Sequence, residues 1–315
     1  MSEIRHLRRA GEAIFKDRYT TKAKDLLRPW KSGETGAFGL VGLPLSKPSI
    51  SHSGASFAPG AIRSALQGYT TYSGEAELEL TTPIIDFGDL YMDPTDIIGN
   101  QNRLYEGMTD ILATEATGKW VLLGGDHSVS YASIKAVKEK YESIGVIQFD
   151  AHHDFRNTED GGPTNGTPFR RLLEEGVIQG DNLVQIGIRD FSNAKAYHDF
   201  GKEHGVKMYS MGNIRNDGIR DILEKERERL SKQVDRVYIS LDMDVLDQAF
   251  APGCPAIGPG GMNTEMLIEG ISYLAKQEEV IAMDIVEIDP TVDIRNMTSR
   301  IAAYMILQLL KGKSC

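Results

Sequence analysis

Short apolar runs alternate with longer amphipathic stretches along most of this sequence. That rhythm restricts the chain to strands joined by crossover helices in a mainly parallel sheet. The candidate strands are 38–43, 83–87, 120–123, 145–149, 183–188, 206–209, 237–241 and 280–285, which makes eight in one sheet. Helical periodicity fills the intervals at 60–67, 95–116, 128–141, 168–176, 194–205, 217–232, 263–277 and 297–311. A chain of 315 residues is long enough for two domains or one large α/β domain. It carries no repeat, low-complexity segment or Pro/Ser-rich linker, so a single α/β domain over residues 1–315 is expected. The charged run EKERERLSK at 224–232 reads as the solvated face of a helix.

Charge and cysteine usage narrow the function classes. With 35 Lys and Arg against 45 Asp and Glu, the net charge is −10. That opposes binding to nucleic acid or to an anionic membrane through bulk electrostatics, and by itself it favours a cationic partner. The cysteines are Cys254 and Cys315, so a disulfide framework and a thiolate metal site are both excluded, and a reducing compartment is expected. The N-terminal stretch MSEIRHLRRAGEAIFKDRY lacks the apolar core of a signal peptide. No apolar stretch approaches the ~18 residues of a membrane span. A cytoplasmic location is therefore expected.

Two loops break the rhythm, one over 150–171 after the fourth candidate strand and one over 242–261 after the seventh. Ligands of open parallel sheets sit beyond the C-terminal strand ends, so these loops are the first places to look for chemistry. The first opens Asp150-Ala-His152-His153-Asp154, and persisting strand alternation would turn Asp150, His152 and Asp154 to one side. The second opens Asp242-Met-Asp244, a carboxylate pair at the same spacing. A third strand end reads Gly124-Gly125-Asp126-His127, where the glycines are expected to allow a tight turn before the imidazole. Singly, each segment is also compatible with a helix-capping Asp or a hydrogen-bonded His. Together, four carboxylates at neighbouring strand ends would repel one another unless cations lay between them. Oxygen-rich donors with two imidazoles and no sulfur suit Mn²⁺ or another borderline divalent ion, and six such groups suit two ions sharing carboxylates around a water. A cluster of that kind attracts an amidinium-like substrate.

The segments GGDHS at 124–128, DAHHD at 150–154 and SLDMDVLD at 240–247 resemble, in order, the three metal-binding signatures of the ureohydrolase family, which includes arginases, agmatinases and formimidoylglutamases. The resemblance runs from GLPLSKPSISHSGASFAPGAIRSAL near residue 42 to DIVEIDP near residue 284. It implies a three-layer α/β/α fold around a mostly parallel eight-stranded sheet, and two Mn²⁺ per subunit. One ion would be held by His127, Asp150, Asp154 and Asp242, the other by Asp150, His152, Asp242 and Asp244, with Asp150 and Asp242 shared. Glu287, in DIVEIDP, matches the family glutamate that pairs with a guanidinium or amidine. Asp154 is implied as the group that carries a proton from the attacking hydroxide, which bridges the metals, to the leaving nitrogen. Related enzymes are commonly trimers or hexamers, so a homo-oligomer acting on a small molecule is expected.

The substrate must be read from the loops. Where arginases carry an asparagine that contacts the substrate α-carboxylate, this chain has Arg156, a residue suited to planar carboxylate recognition. Where arginases and agmatinases carry a histidine in the following loop, this chain has Asn165, so a proton shuttle there is absent. Where arginases carry the aspartate that receives an α-ammonium, this chain has Ser192. A cation gained and an acid lost fit a ligand with two carboxylates and no free ammonium, such as N-formimidoyl-L-glutamate, cleaved to L-glutamate and formamide. Both long loops resemble those of bacterial formimidoylglutamases of histidine degradation. The alternative is a guanidino substrate such as agmatine or guanidinobutyrate, with release of urea. Arg189 is a second candidate carboxylate partner, with a structural bridge to a neighbouring Asp as the other reading. His153 is expected at the pocket rim or behind the ligands, Asp126 as an orienting group, and Arg170 and Arg171 on a helix. The segment GLVGLPLS lacks the spacing of a nucleotide loop and reads as a strand-end turn. The role of Cys254 stays open.

Overall fold

The computed structural model describes residues 17–314, without the side chain of Ser314. Cys315 and nearly all of the N-terminal stretch used for the signal-peptide reading lie outside the described residues. The strands are β1 (Leu27–Pro29), β2 (Gly36–Gly42), β3 (Tyr72–Ser73), β4 (Leu78–Glu79), β5 (Ile84–Asp89), β6 (Thr117–Leu123), β7 (Ile144–Phe149), β8 (Leu183–Ile188), β9 (Lys207–Ser210), β10 (Arg236–Asp242) and β11 (Val280–Val286). The helices are α1 (Ala58–Ala65), α2 (Ile97–Ala113), α3 (Val129–Lys140), α4 (Pro168–Glu174), α5 (Lys195–Glu203), α6 (Met211–Asp217), α7 (Ile219–Leu230), α8 (Thr264–Ala275) and α9 (Met297–Ser314). Nine strands form one sheet in the order β1-β5-β2-β6-β11-β10-β7-β8-β9, and every pairing in it is parallel.

The central strands are apolar along their whole length because both faces are covered, as parallel sheets require. Period-two alternation divides them between two cores. Val237, Ile239 and Leu241 of β10 join one core with Ile62 of α1, Ile222 of α7, Ile271 of α8 and Ile306 of α9. Tyr238 of the same strand joins the other with Leu104 of α2, Ile134 of α3 and Leu172 of α4. The result is the expected three-layer arrangement.

All eight expected strands are present, and the sheet gains a ninth at one edge. β1 is only three residues long and ends in Pro29, which is tolerated on an edge and carries no periodic signal for sequence reading. β3 and β4 form a small antiparallel pair apart from the main sheet. The expected helix over 217–232 is α7, and a further helix, α6, precedes it, the two separated at Gly218 with φ +81°. In the charged run, Glu224, Lys225 and Glu228 are exposed, but Glu226 is buried and accepts from the Tyr209 hydroxyl at 2.5 Å and Arg229 Nε at 2.6 Å. No helix among the described residues is long and apolar enough to cross a membrane.

Candidate metal centre and substrate cavity

The C-terminal ends of β6, β11, β10 and β7 are adjacent in the sheet, so His127, Glu287, Asp242 and Asp150 meet although 160 residues separate His127 from Glu287. The chain passes from β6 to β7 over the two strands between them, which opens the crevice where parallel sheets bind ligands. His127 Nδ1 lies 3.1 Å from Asp150 Oδ2, 2.9 Å from Asp154 Oδ2 and 3.1 Å from Asp242 Oδ2. His152 Nδ1 lies 3.0 Å from Asp244 Oδ2 and 3.5 Å from Asp150 Oδ1. Asp150 thus turns one oxygen to each histidine. The atoms of the His127–Asp150–Asp154 group lie within 4.8 Å of one another, as do those of the Asp150–His152–Asp244 group.

The convergence has a different origin from strand alternation. β7 ends at Phe149, the backbone bends at Ala151 and His152, and Asp154 has φ +54°. Asp244 lies in a single turn of 3₁₀ helix after β10, its amide donating to Asp242 Oδ1 at 2.8 Å. The backbone bends at Gly125 and turns at His127 as expected, but Gly125 does so without a left-handed φ. Its role is close approach, since a Cβ there would lie 1.8 Å from the Leu45 carbonyl oxygen, which accepts from Asp126 N at 2.7 Å. Leu45 belongs to the strand-end segment after β2 that the sequence marked as GLVGLPLS.

The donor set fits divalent cations. His127 Nδ1 and Asp154 Oδ2 are both buried without a hydrogen-bond partner, although they are close together. Such atoms require a proton or a cation between them. Below the cluster, Asp284 accepts from Ser130 Oγ at 2.6 Å, Tyr238 OH at 2.8 Å, Ser240 Oγ at 2.9 Å and Leu241 N at 3.1 Å. Ser240 gives its proton to Asp284, so at 2.9 Å it accepts one from His127 Nε2. The Nδ1 lone pair of a neutral His127 then faces the carboxylates, which is the posture of a metal ligand.

The electrostatics carry the same signature of uncompensated charge. Burial, then the charges of Asp244 and Asp150, push Asp242 well above the ordinary carboxylate range. Burial and the Asp150 charge raise Asp154 to about 6. Burial alone would raise Asp150, but the adjoining His127 and His152 imidazoles outweigh it and hold the carboxyl below its usual value. The Asp244 charge leads the causes that raise His152 to about 12. Cations between these groups would offset the repulsion among the carboxylates.

A cavity of about 350 Å³ opens over these groups, lined by His127, His152, Asp154, Arg156, Asn165, Ser192, Asp242, Asp244 and Glu287 among others. Glu287 has φ +60° and is 2% exposed. Its Oε1 accepts from His127 N at 2.8 Å and Asn165 Nδ2 at 3.0 Å, while Oε2 has no partner. Burial, then the Asp126 charge, raise its carboxyl to about 8. Asn165 is itself held by Ile50 N, which donates to Oδ1 at 3.0 Å, so it orients Glu287. Arg156 stands exposed at the rim, 6.0 Å from the Tyr197 ring centre and without a carboxylate partner among the described residues. Ser192 shares the wall between this cavity and an adjoining one.

Arg189 does not line the main cavity. It is buried, with Nη2 donating to the Asp244 carbonyl and, at 3.0 Å, to that of Leu246. It clamps backbone, lines the adjoining cavity, and makes no ion pair with an aspartate among the described residues. His153 is buried rather than at the rim, bonded to Gln185 and stacked on Phe155. Asp126 accepts from Ser128 N at 3.0 Å, and Arg170 and Arg171 lie on α4. Cys254 is buried and does not line the cavity. Sequence reading missed Gln148, Gln185, Ser240 and Asp284. Each is a polar interruption of an otherwise apolar strand, which was the available signal.

The arginase family model matches residues 37–311. A formimidoylglutamase of Halalkalibacterium halodurans is 55% identical over 96% of this chain and 95% of that protein. One from Bacillus subtilis is 48% identical over 99% of this chain and 98% of that protein. The crystal structure of the Bacillus subtilis formimidoylglutamase superposes with a TM-score of 0.94, covering 98% of this chain and 96% of that one.

Proposed function

The chain belongs to the arginase family, and from that premise we propose that it hydrolyses N-formimidoyl-L-glutamate with water to L-glutamate and formamide, as a step of histidine degradation. The observation that carries the reading is the full-length identity of 55% and 48% to proteins named formimidoylglutamase. An arginine at position 156 and a serine at 192, suited to a dianion without a free ammonium, agree with it.

Two divalent ions, which we take to be Mn²⁺, would be held by His127, Asp150, Asp154 and Asp242 and by Asp150, His152, Asp242 and Asp244. Such ions acidify a water and polarise the atom under attack. Glu287 Oε2, free of partners, accepts an N–H of the formimidoyl group and fixes its plane. A planar cation there also offsets the burial that raises the Glu287 carboxyl. Arg156 receives a substrate carboxylate at the rim. Water adds to the formimidoyl carbon, and Asp154 takes the released proton and passes it to the glutamate nitrogen. The carbon–nitrogen bond to glutamate then breaks and leaves formamide.

The test supplies Mn²⁺-loaded protein with N-formimidoyl-L-glutamate, agmatine and guanidinobutyrate and assays formamide and urea. Formamide from the first is expected. Urea from a guanidino compound, with no turnover of the first, would replace this reading by the alternative. We further propose a cytoplasmic homo-oligomer, a trimer or hexamer, and light scattering that gives a monomer mass would remove it.

A further inference from the structure

Two glutamines lie side by side in the centre of the sheet. Gln148 of β7 and Gln185 of β8 are direct register partners, and both are fully buried in strands that are otherwise apolar. Burying two primary amides is costly unless they are bonded, so their partners are informative. Gln148 Nε2 donates to Asp150 Oδ2 at 2.6 Å and reaches the His152 carbonyl at 3.4 Å. Gln185 Nε2 donates to Gln148 Oε1 at 2.7 Å and to the His153 carbonyl at 2.8 Å. Gln185 Oε1 lies 2.7 Å from His153 Nδ1, and His153 Nε2 lies 3.3 Å from His198 Nδ1 on α5.

The direction of this chain is fixed. An ionised Asp150 only accepts, so Gln148 must present its NH₂ there and its carbonyl to Gln185. Gln185 must then present its NH₂ to Gln148, and the His153 carbonyl beside it enforces the same orientation. Its remaining oxygen requires a proton on His153 Nδ1, which leaves His153 Nε2 to accept from His198 Nδ1–H. Every donor points toward Asp150, and such aligned chains polarise one another.

We propose that Gln148 and Gln185, oriented by His153, are positioning residues that hold the Asp150 carboxylate with Oδ2 toward His127 and Oδ1 toward His152. Asp150 Oδ1 is fixed from its other side by His152 N, which donates at 2.6 Å. With both oxygens tied, the carboxylate plane cannot rotate away from either histidine. The inference rests on the reading of Asp150 as a ligand shared by two ions, and its test separates the two.

Nitrogen-15 NMR of the imidazoles in metal-free wild-type protein reads the chain directly. His153 protonated on Nδ1 alone is expected, whereas the Nε2–H tautomer would reverse the chain and overturn it. Gln185→Met removes the donation to Gln148 with little change of volume. Mn²⁺ affinity, followed by electron paramagnetic resonance of the free ion, should fall roughly 10- to 100-fold in this variant, with KM at saturating Mn²⁺ unchanged. Unchanged affinity overturns the positioning role. Gln148→Met removes the bond to Asp150 with little change of volume and should give a loss of the same size. The tautomer is read without metal, so a failure of the two-ion reading leaves that arm decisive.

Discussion

Ser240 shows how one hydroxyl settles the state of a residue it does not resemble. Asp284 takes its proton, so it accepts from His127 Nε2 and leaves Nδ1 for the cluster. Ser240→Ala removes the acceptor for a buried N–H, which should cost about 1–3 kcal/mol of stability. It should also weaken Mn²⁺ binding roughly tenfold by freeing the tautomer. Chemical denaturation and metal titration check the two separately, and a stability loss without an affinity loss would confine Ser240 to packing. At the rim, Arg156→Ala should raise KM for N-formimidoyl-L-glutamate roughly 30- to 100-fold, the equivalent of about 2–3 kcal/mol for charge-assisted hydrogen bonds. Its kcat should hold, because binding shared by ground and transition states leaves kcat untouched. An unchanged KM would remove Arg156 from the carboxylate site. The six proposed ligands were legible in sequence because strand ends crowded with carboxylates and imidazoles have few other uses. Ser240 and Asp284 were visible only as polar residues in apolar runs, and nothing in sequence says which neighbour satisfies them.

Among the elements, the strands were readable because burial on both faces makes them continuous apolar runs. β1 was not, since an edge strand of three residues ending in proline has no periodicity to detect. The same limit applies to α6, a helix of seven residues set apart from α7 by one backbone angle at Gly218. Convergence of the ligands was expected from alternation but arises from irregular backbone beyond the strands, with Asp154 and Glu287 both in the left-handed region. Holding two non-glycine residues there costs roughly 1–3 kcal/mol each, which surrounding contacts must offset. Gly125 belongs to that support, wedged against the backbone of Leu45. Gly125→Ala forces a Cβ against a carbonyl 1.8 Å away, and backbone cannot yield as a flexible side chain does. A loss of about 3 kcal/mol is expected, at the upper end for overpacking, together with displaced His127 and incomplete metal loading. A denaturation midpoint equal to wild type would show that the segment after β2 moves freely.

At the scale of the whole molecule, the net charge of −10 suggested a cationic partner, and the site shows where that inference holds. In the proposed reading, acidic residues gather around the ions and the amidine end of the substrate, while the carboxylate end would depend on Arg156 rather than on the global field. Concentrating carboxylates in this way ties metal loading to protons. Without metal, His127 is held well above its ordinary value, with the charge of Asp154 foremost among the raising causes against a burial cost that lowers it, and His152 is raised to about 12. Both imidazoles therefore carry protons at neutral pH, and an incoming cation must displace them. Proton release makes affinity rise with pH, by about tenfold per pH unit for each proton released. Two released protons should thus change Mn²⁺ affinity by roughly a hundredfold per unit near neutrality. The fall should steepen as pH drops through about 6, where Asp154 also takes up a proton. Isothermal titration calorimetry in buffers of different ionisation enthalpy counts the protons directly. A count near two at pH 8, rising toward three by pH 5.5, is expected. A count of zero at pH 8 would mean that the metal-free cluster carries no displaceable proton, with both histidines neutral and the carboxylates ionised, and would overturn the linkage.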